Sequence, residues 1–112
     1  MPTRTSEQEG NIFSAGIWTV KPGREEGFLQ RWKEFALWTM DNQKGPVSVV
    51  MVRDIEQQNV FISFCPWADL ESIRIWRQTP AFSEAFRDFK NLCDKIEPHT
   101  LQRVWSLENK SR

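Results

Sequence analysis

The sequence predicts an α+β fold in which a four-stranded antiparallel sheet carries helices on one face. Strand-like and helix-like segments follow one another in the order strand, helix, strand, strand, paired helices, strand. The strands are apolar on both faces, which is unusual for a sheet that helices can cover on only one side. A chain of 112 residues is long enough for one domain and not two.

A Pro-Gly turn separates the first strand from the first helix. Residues 12–20, IFSAGIWTV, predict a strand that ends at Lys21-Pro22-Gly23. From Arg24 the apolar residues recur at helical spacing. This predicts an amphipathic helix of about four turns that stops before the turn residues of 41–46.

The next segment predicts a hairpin. Residues 47–53 are rich in Val and extended in character, residues 54–59 form a polar turn, and residues 60–65 return as a second strand. Pro66 is expected to end that strand because it has no backbone N–H to donate.

Two helices in tandem come next. Asp69 can cap a helix that runs to about Gln78. Thr79 is the predicted N-cap of a second helix, with Pro80 at its first position. The clearest helical stripe of the sequence then extends to residue 96, and its members are Phe82, Phe86, Phe89, Leu92, Cys93 and Ile96.

The last strand is predicted over residues 100–107, after Pro98 breaks the helix. The resulting βαββαβ order is that of a ferredoxin-like fold. Val49 and Met51 point to one face of their strand while Val50 and Val52 point to the other. Because helices cover a single face, we expect a second copy of the chain to cover the other, giving a homodimer.

Composition excludes several classes of function. Fifteen basic and fifteen acidic side chains cancel, so charge gives no case for nucleic acid or an anionic membrane as partner. No apolar run is long enough to span a membrane, and no secretory signal precedes the domain. Two cysteines without metal-ligand spacing are expected to be buried and reduced in the cytoplasm.

The predicted domain covers residues 12–108, between a disordered N-terminal tail over 1–11 and a C-terminal tail over 109–112. The sequence contains no glycine-rich phosphate loop, nucleophile elbow or metal-ligand cluster. We therefore expect neither a cofactor nor a metal.

Three stretches resemble the antibiotic biosynthesis monooxygenase family, a branch of the dimeric α+β barrels: IWTVKPGREEGFLQRW, FISFCPWADLESIRIW and TPAFSEAF. The resemblance spans residues 12–107. Members include cofactor-free enzymes that oxidise polycyclic phenols to quinones with O₂, enzymes that bind and degrade haem, and proteins of unknown role. The fold alone does not choose among these activities.

In the quinone-forming members, a Trp just after the third strand lines the substrate pocket, and an Asn four residues earlier polarises the substrate. Here Trp67 matches the Trp, and Ser63 stands where those members have Asn. The family also uses tyrosines to shape that site, and this chain has none.

In the haem-degrading members, a Trp on the second helix is followed ten residues later by the His that ligates iron. Here Trp76 matches the Trp, but Phe86 occupies the His position, and the family's first-strand Asn falls at or near Gly16. Phe86 has no lone pair for iron, so haem degradation ranks third among the functions considered.

The resemblance and the residue types together name the candidate site. The predicted substrate-binding residues are Trp67, Trp76, Ser63, Phe86 and Phe82. His99, the only His, is the candidate general base because a general base that works near neutral pH is most often a His. Arg103, placed on one strand face with Leu101 and Trp105, is the candidate contact to an acidic substrate oxygen.

Each candidate also has a plain structural interpretation. Aromatic stripes usually form cores, and a lone His at a strand end is usually a surface or capping group. Two functions follow: a cofactor-independent monooxygenase for a small phenolic substrate, or a dimer of the same fold that binds a small apolar aromatic ligand without turning it over or acts in regulation. Both require a pocket, of about 300 Å³ or more, between the sheet and the helices.

Overall fold

The computed structural model describes residues 10–109. Four strands form one antiparallel sheet in the order β2-β3-β1-β4, which is the predicted ferredoxin-like arrangement. The elements are, in chain order, β1 (Ile12–Val20), α1 (Glu25–Asn42), β2 (Val50–Arg53), β3 (Val60–Trp67), α2 (Leu70–Arg77), α3 (Pro80–Leu92) and β4 (Cys93–Gln102).

The turn between β1 and α1 depends on Gly23. Its φ of 90° lies in the left-handed region that costs a glycine nothing. Its N–H donates to Glu25 Oε1 at 2.9 Å, and this carboxylate lies in the first turn of α1, where negative charge is favourable. The predicted strand and helix are both present.

The second hairpin differs from the prediction at both ends. β2 begins at Val50, not residue 47, and Pro46 pairs with Trp67 only through an isolated bridge. Pro66 does not end β3, which continues to Trp67. The Pro66 carbonyl still accepts a hydrogen bond from the Val47 N–H at 2.8 Å, so the strand loses only the bond that proline cannot donate.

Both helix caps are confirmed. The Asp69 side chain accepts from the Ser72 N–H at 2.8 Å and begins α2. The Thr79 hydroxyl accepts from the Phe82 N–H at 3.2 Å, and Pro80 is the first residue of α3.

The end of α3 was predicted wrongly. The helix stops at Leu92, and Cys93 already pairs with Val20 in β4. The register shifts at this point, because Thr19 pairs with Lys95 while its neighbour pairs with Cys93. This bulge lets Cys93 and Ile96 face the core three residues apart, which imitates helical spacing.

The last strand also lies elsewhere than predicted. β4 spans Cys93–Gln102, so residues 103–107 lie outside it. Pro98 was predicted to break the helix, but the helix has already ended at Leu92, and Pro98 lies within β4 opposite Gly16. β4 is an edge strand, where a missing N–H costs no ladder bond on the open side.

The helices pack on one face of the sheet, where the largest core cluster centres on Trp18, Phe28 and Phe89. Side chains on the other face remain partly exposed, among them Val50, Val52, Phe64 and Leu101. The sheet is therefore apolar on both faces and covered on one.

Most of the predicted N-terminal tail, residues 1–9, and residues 110–112 of the C-terminal tail lie outside the described residues. Gly10 and Asn11 were assigned to the N-terminal tail, yet their backbones bond to the domain. Gly10 donates to the Trp67 carbonyl at 3.0 Å, and Asn11 accepts from the Arg103 N–H at 2.7 Å. Among residues 10–109, no helix is long and apolar enough to cross a membrane.

Candidate ligand cavity

A small apolar cavity of about 60 Å³ lies between the covered face of the sheet and the helices. α1 contributes Phe35 and Ala36 to its wall, and α2 contributes Trp76. The volume is far below the roughly 300 Å³ of a typical ligand pocket, so the cavity as it stands is smaller than the sequence led us to expect.

Three indole N–H groups around the cavity each donate to a hydroxyl. Trp18 Nε1 donates to Ser63 Oγ at 3.0 Å, Trp76 Nε1 to Thr39 Oγ1 at 3.0 Å, and Trp67 Nε1 to Ser14 Oγ at 2.9 Å. The three hydroxyls, those of Ser14, Thr39 and Ser63, line the cavity. An indole can only donate, so each hydroxyl is the acceptor of its bond, and those of Thr39 and Ser63 keep a proton to donate.

The strand register explains how Trp18 reaches Ser63. Gly16 of β1 lies directly opposite Ser63 of β3. The indole of Trp18 leans back over Gly16, so closely that a Cβ on Gly16 would lie 2.8 Å from Trp18 Nε1. Only glycine leaves room for the ring there, and the indole fills the space that a first-strand side chain would occupy.

Stacked rings form the aromatic wall. Trp76 stacks on Phe35 with centroids 5.6 Å apart, and the edge of Phe82 meets it at 4.8 Å. Phe82 stacks on Phe86 at 4.2 Å, and Phe86 packs against Trp18 at 5.6 Å. Phe86 therefore contacts the core and lines the cavity at once.

Cys65 is the one cysteine on the cavity wall among the described residues. Burial raises the pKa of its thiol to about 12, and the opposing hydrogen bond from Ser14 is the smaller effect. The thiol is therefore neutral at physiological pH and unreactive as a nucleophile or base. No carboxylate or imidazole is among the described residues that line this cavity.

The structure brings four of the five predicted substrate-binding residues to the cavity: Ser63, Trp76, Phe82 and Phe86. The fifth, Trp67, is fully buried in a neighbouring cluster and is not part of the wall. It contacts Trp76 at 5.0 Å and reaches the cavity only through its hydrogen bond to Ser14. Whether any of the five binds a substrate stays a prediction.

The two predicted catalytic residues do not line the cavity. His99 pairs with Ala15 in the sheet and borders a surface groove next to the cavity, beside Arg77 and Phe86. Arg103 follows the end of β4, so the predicted strand face shared with Leu101 and Trp105 does not exist. Its guanidinium is exposed and lies over the Phe13 ring, 5.6 Å from the centroid.

Arg77 and Thr39 line the cavity but were not predicted as site residues. Arg77 is the last residue of α2, and its Nη1 donates to Thr100 Oγ1 at 2.7 Å. Its position directly after Trp76, itself a predicted site residue, is the sequence feature that could have indicated it. Thr39 was visible as a polar residue within the apolar stripe of the first helix.

No group of three or more potential metal ligands occurs within residues 10–109. Phe86 lies at the cavity where the haem-degrading relatives would place a His, and its ring cannot ligate iron. The described cavity residues therefore do not fit axial haem ligation at this position.

The sequence matches the family described as antibiotic biosynthesis monooxygenase over residues 7–88, and the chain belongs to that family. This agrees with the resemblance seen in its motifs. No curated protein matches the chain.

Solved structures with the same fold include SnoaB from Streptomyces nogalater, described as a cofactor-independent oxygenase. It is 18% identical, with a TM-score of 0.80 over 89% of this chain and 99% of that one. A putative antibiotic biosynthesis monooxygenase from Bordetella bronchiseptica is 22% identical, with a TM-score of 0.75 over 87% and 100%. A conserved protein from Methanosarcina mazei is 18% identical, with a TM-score of 0.77 over 88% and 98%. At these identities the likeness shows the fold.

Proposed function

We propose that the chain is a cofactor-independent monooxygenase that oxidises a small phenolic substrate with O₂ in the cavity between sheet and helices. The observation that carries the proposal is an apolar cavity walled by aromatic rings, with hydroxyl groups on its wall that accept hydrogen bonds from indole N–H groups. Membership of a monooxygenase family and the fold of SnoaB support the same activity.

The chemistry needs little from the protein. An ionised phenol supplies electrons to O₂; one oxygen atom bonds to a ring carbon and the other leaves as water as the quinone forms. The four electrons come from the substrate, so no external reductant is required. The protein holds the ring, excludes water and stabilises the anion.

Ser63 and Thr39 are the proposed polar contacts. Each hydroxyl accepts an indole N–H, so its own proton is free to donate to the phenolic oxygen. Hydrogen bonds to the charged form favour ionisation of a phenol. No base lines the cavity itself, so the substrate proton is lost before the phenol is fully bound there, to water or to His99, which borders the adjoining surface groove.

A substrate larger than the cavity needs the wall to move. A surface groove of about 360 Å³ shares Arg77, Phe82, Phe86 and Pro98 with the cavity. These residues lie between the two spaces. We propose that rotation of Phe82 and Phe86 joins groove and cavity into a pocket of ligand size.

The proposed assembly is a homodimer through the uncovered sheet face. Val50 and Val52 of β2 are about half exposed there, and Phe64 and Leu101 extend the apolar surface across β3 and β4. A surface of this kind marks an interface. The dimeric character common in the family supports the proposal, and the cytoplasmic location stays a prediction from the sequence.

Oxygen consumption tests the proposed reaction. A panel of fused-ring phenols is supplied to the protein in an oxygen electrode, and quinone is quantified in the same samples. We expect one O₂ consumed per quinone formed, with no product in anaerobic controls. Consumption no faster than in buffer across the panel would contradict the proposal.

A binding module without turnover is the second candidate. The observation that favours it is the absence of a base among the described cavity residues. Saturable binding of the same phenols without oxygen consumption would identify this function.

A further inference from the structure

Arg77 is a partly buried cation that has no acidic partner among residues 10–109. The ion pairs of the described residues join Arg31 to Asp88 and Lys95 to Glu97, and none includes Arg77. Its hydrogen bonds within the described part of the chain go to neutral acceptors: Nη1 donates to Thr100 Oγ1 at 2.7 Å and Nη2 to the His99 carbonyl at 3.4 Å. A guanidinium that is partly removed from water gains more from a nearby anion than a fully solvated one does.

The guanidinium of Arg77 is partly removed from water. Burial lowers the pKa of Arg77, and no neighbouring charge contributes resolvably to the shift. An arginine remains protonated in proteins all the same. The site therefore carries a persistent positive charge that a bound anion would neutralise.

The surroundings of Arg77 fit an aromatic anion. The groove of about 360 Å³ presents Arg77 and Thr100 beside the rings of Phe82 and Phe86. Those two rings are stacked at 4.2 Å and form an apolar platform. A flat ring can lie on the platform while an anionic substituent reaches the guanidinium.

We propose that Arg77 is a specificity-determining residue that selects substrates bearing a carboxylate on the aromatic ring. Arginine binds carboxylates through two parallel N–H donors, a geometry that its planar fork supplies and a neutral alcohol cannot match. The inference rests on the proposed function in placing the ligand at the same cavity mouth. It makes the substrate a hydroxylated aromatic acid.

A purely structural role for Arg77 would be to link α2 to β4 by hydrogen bonds. That role does not account for the remaining N–H donors or for the positive charge. The two hydrogen bonds use two of the five N–H donors of the guanidinium. A neutral side chain would make such a link without burying charge. The unused donors and the uncompensated charge are what a carboxylate would satisfy.

Calorimetric titration with naphthoate and naphthol tests the inference. The two probes share a fused ring, but at neutral pH only naphthoate is ionised, because phenols ionise near pH ~10. We expect the parent protein to bind naphthoate about tenfold more tightly than naphthol. Arg77→Gln should abolish this preference by weakening naphthoate binding about tenfold more than naphthol binding.

The matched control is Arg74→Gln, one turn earlier on α2 and exposed. It should keep the preference for naphthoate. Equal loss in Arg74→Gln, unchanged naphthoate binding in Arg77→Gln, or no naphthoate binding by the parent would each overturn the inference. Should Arg77→Gln not fold, salt decides: added NaCl should weaken naphthoate and not naphthol binding to the parent, and salt-insensitive binding would refute the role.

Failure of the inference and failure of the proposed function have different signatures. Arg77-dependent naphthoate binding without oxygen consumption on hydroxynaphthoate would support the selectivity and contradict the oxygenase. Oxidation of naphthol with no preference for the acid would do the reverse.

Discussion

Three buried indole N–H groups determine which polar side chains this core contains. Trp18, Trp67 and Trp76 must each find an acceptor, and the covered side of the sheet and α1 provide one hydroxyl for each. The same hydroxyls are the polar lining of the cavity. The same hydroxyl oxygens thus accept the indole hydrogen bonds of the core and face the space proposed for a ligand.

Ser63→Ala should lower the free energy of unfolding by about 1–3 kcal/mol, because it leaves the buried Trp18 N–H without an acceptor. Urea denaturation measures the change. Ser83→Ala, at an exposed position of α3, is the control and should cost less than about 0.5 kcal/mol. Equal effects of the two substitutions would contradict the pairing.

Cys65 should make the protein sensitive to alkali. Its folded pKa of about 12 exceeds the ordinary value of 9.0, so above pH 9.0 the unfolded chain releases a proton that the folded chain retains. Stability then falls as pH rises between those two values. Urea denaturation from pH 8 to pH 10.5, about the range where an ordinary thiol ionises, measures the effect. Over this range the free energy of unfolding of Cys65→Ala should fall less than that of the parent. Parallel falls in the two proteins would contradict the argument.

At the scale of elements, α3 and the strand after it illustrate what the sequence can predict. The start of α3 was predicted correctly from Thr79 and Pro80, because helix capping depends on neighbouring residues alone. Its end was predicted wrongly because Cys93 and Ile96 continue the helical spacing. They face the core only because a bulge in the pairing with β1 shifts the register. Strand pairing depends on a partner far away in the sequence, so the segment alone could not predict it.

The same limit applies to the site. Trp76 and Phe86 could be picked out by family spacing, and both line the cavity. The hydrogen bond from Trp18 to Ser63 depends on Gly16 lying opposite Ser63, which requires the sheet register. Arg77 was missed because its place at the cavity and its lack of an acidic partner among residues 10–109 appear only in the folded structure.

Two phenylalanines of α3 separate packing from ligand contact. Phe86→Ala and Phe89→Ala each remove a core ring and should cost about 3–5 kcal/mol in urea denaturation. Phe86 lines the cavity and Phe89, fully buried, does not. We therefore expect only Phe86→Ala to change the relative affinities for small and large phenols. If both substitutions changed these relative affinities, or if Phe86→Ala did not, Phe86 would have only a packing role.

At the scale of the molecule, a sheet covered on one side leaves an apolar surface to be explained. The fold is only 20 Å deep along its shortest axis, as expected of one helical layer on one sheet. Val50, Val52 and Phe64 stand on the open side. A second copy packed sheet to sheet would bury them.

Val52→Asp should convert the proposed dimer to monomer, because an unpaired charge in a packed interface is costly. Sedimentation velocity at micromolar concentration measures the oligomeric state. Ile55→Asp is the matched control, since Ile55 is highly exposed in the turn between β2 and β3. A monomeric parent, or a Val52→Asp protein that remains dimeric, would refute the interface.

The cavity between sheet and helices is central to both candidate functions, and filling it tests them most directly. Ala36 of α1 lines the cavity, and Ala81 of α3 does not. Naphthol affinity, followed by tryptophan fluorescence, is compared in the parent, Ala36→Leu and Ala81→Leu. We expect Ala36→Leu to weaken binding by about tenfold or more, the effect of excluding part of a ring, and Ala81→Leu to leave it unchanged. Undiminished binding in folded Ala36→Leu would place the ligand elsewhere and contradict the account.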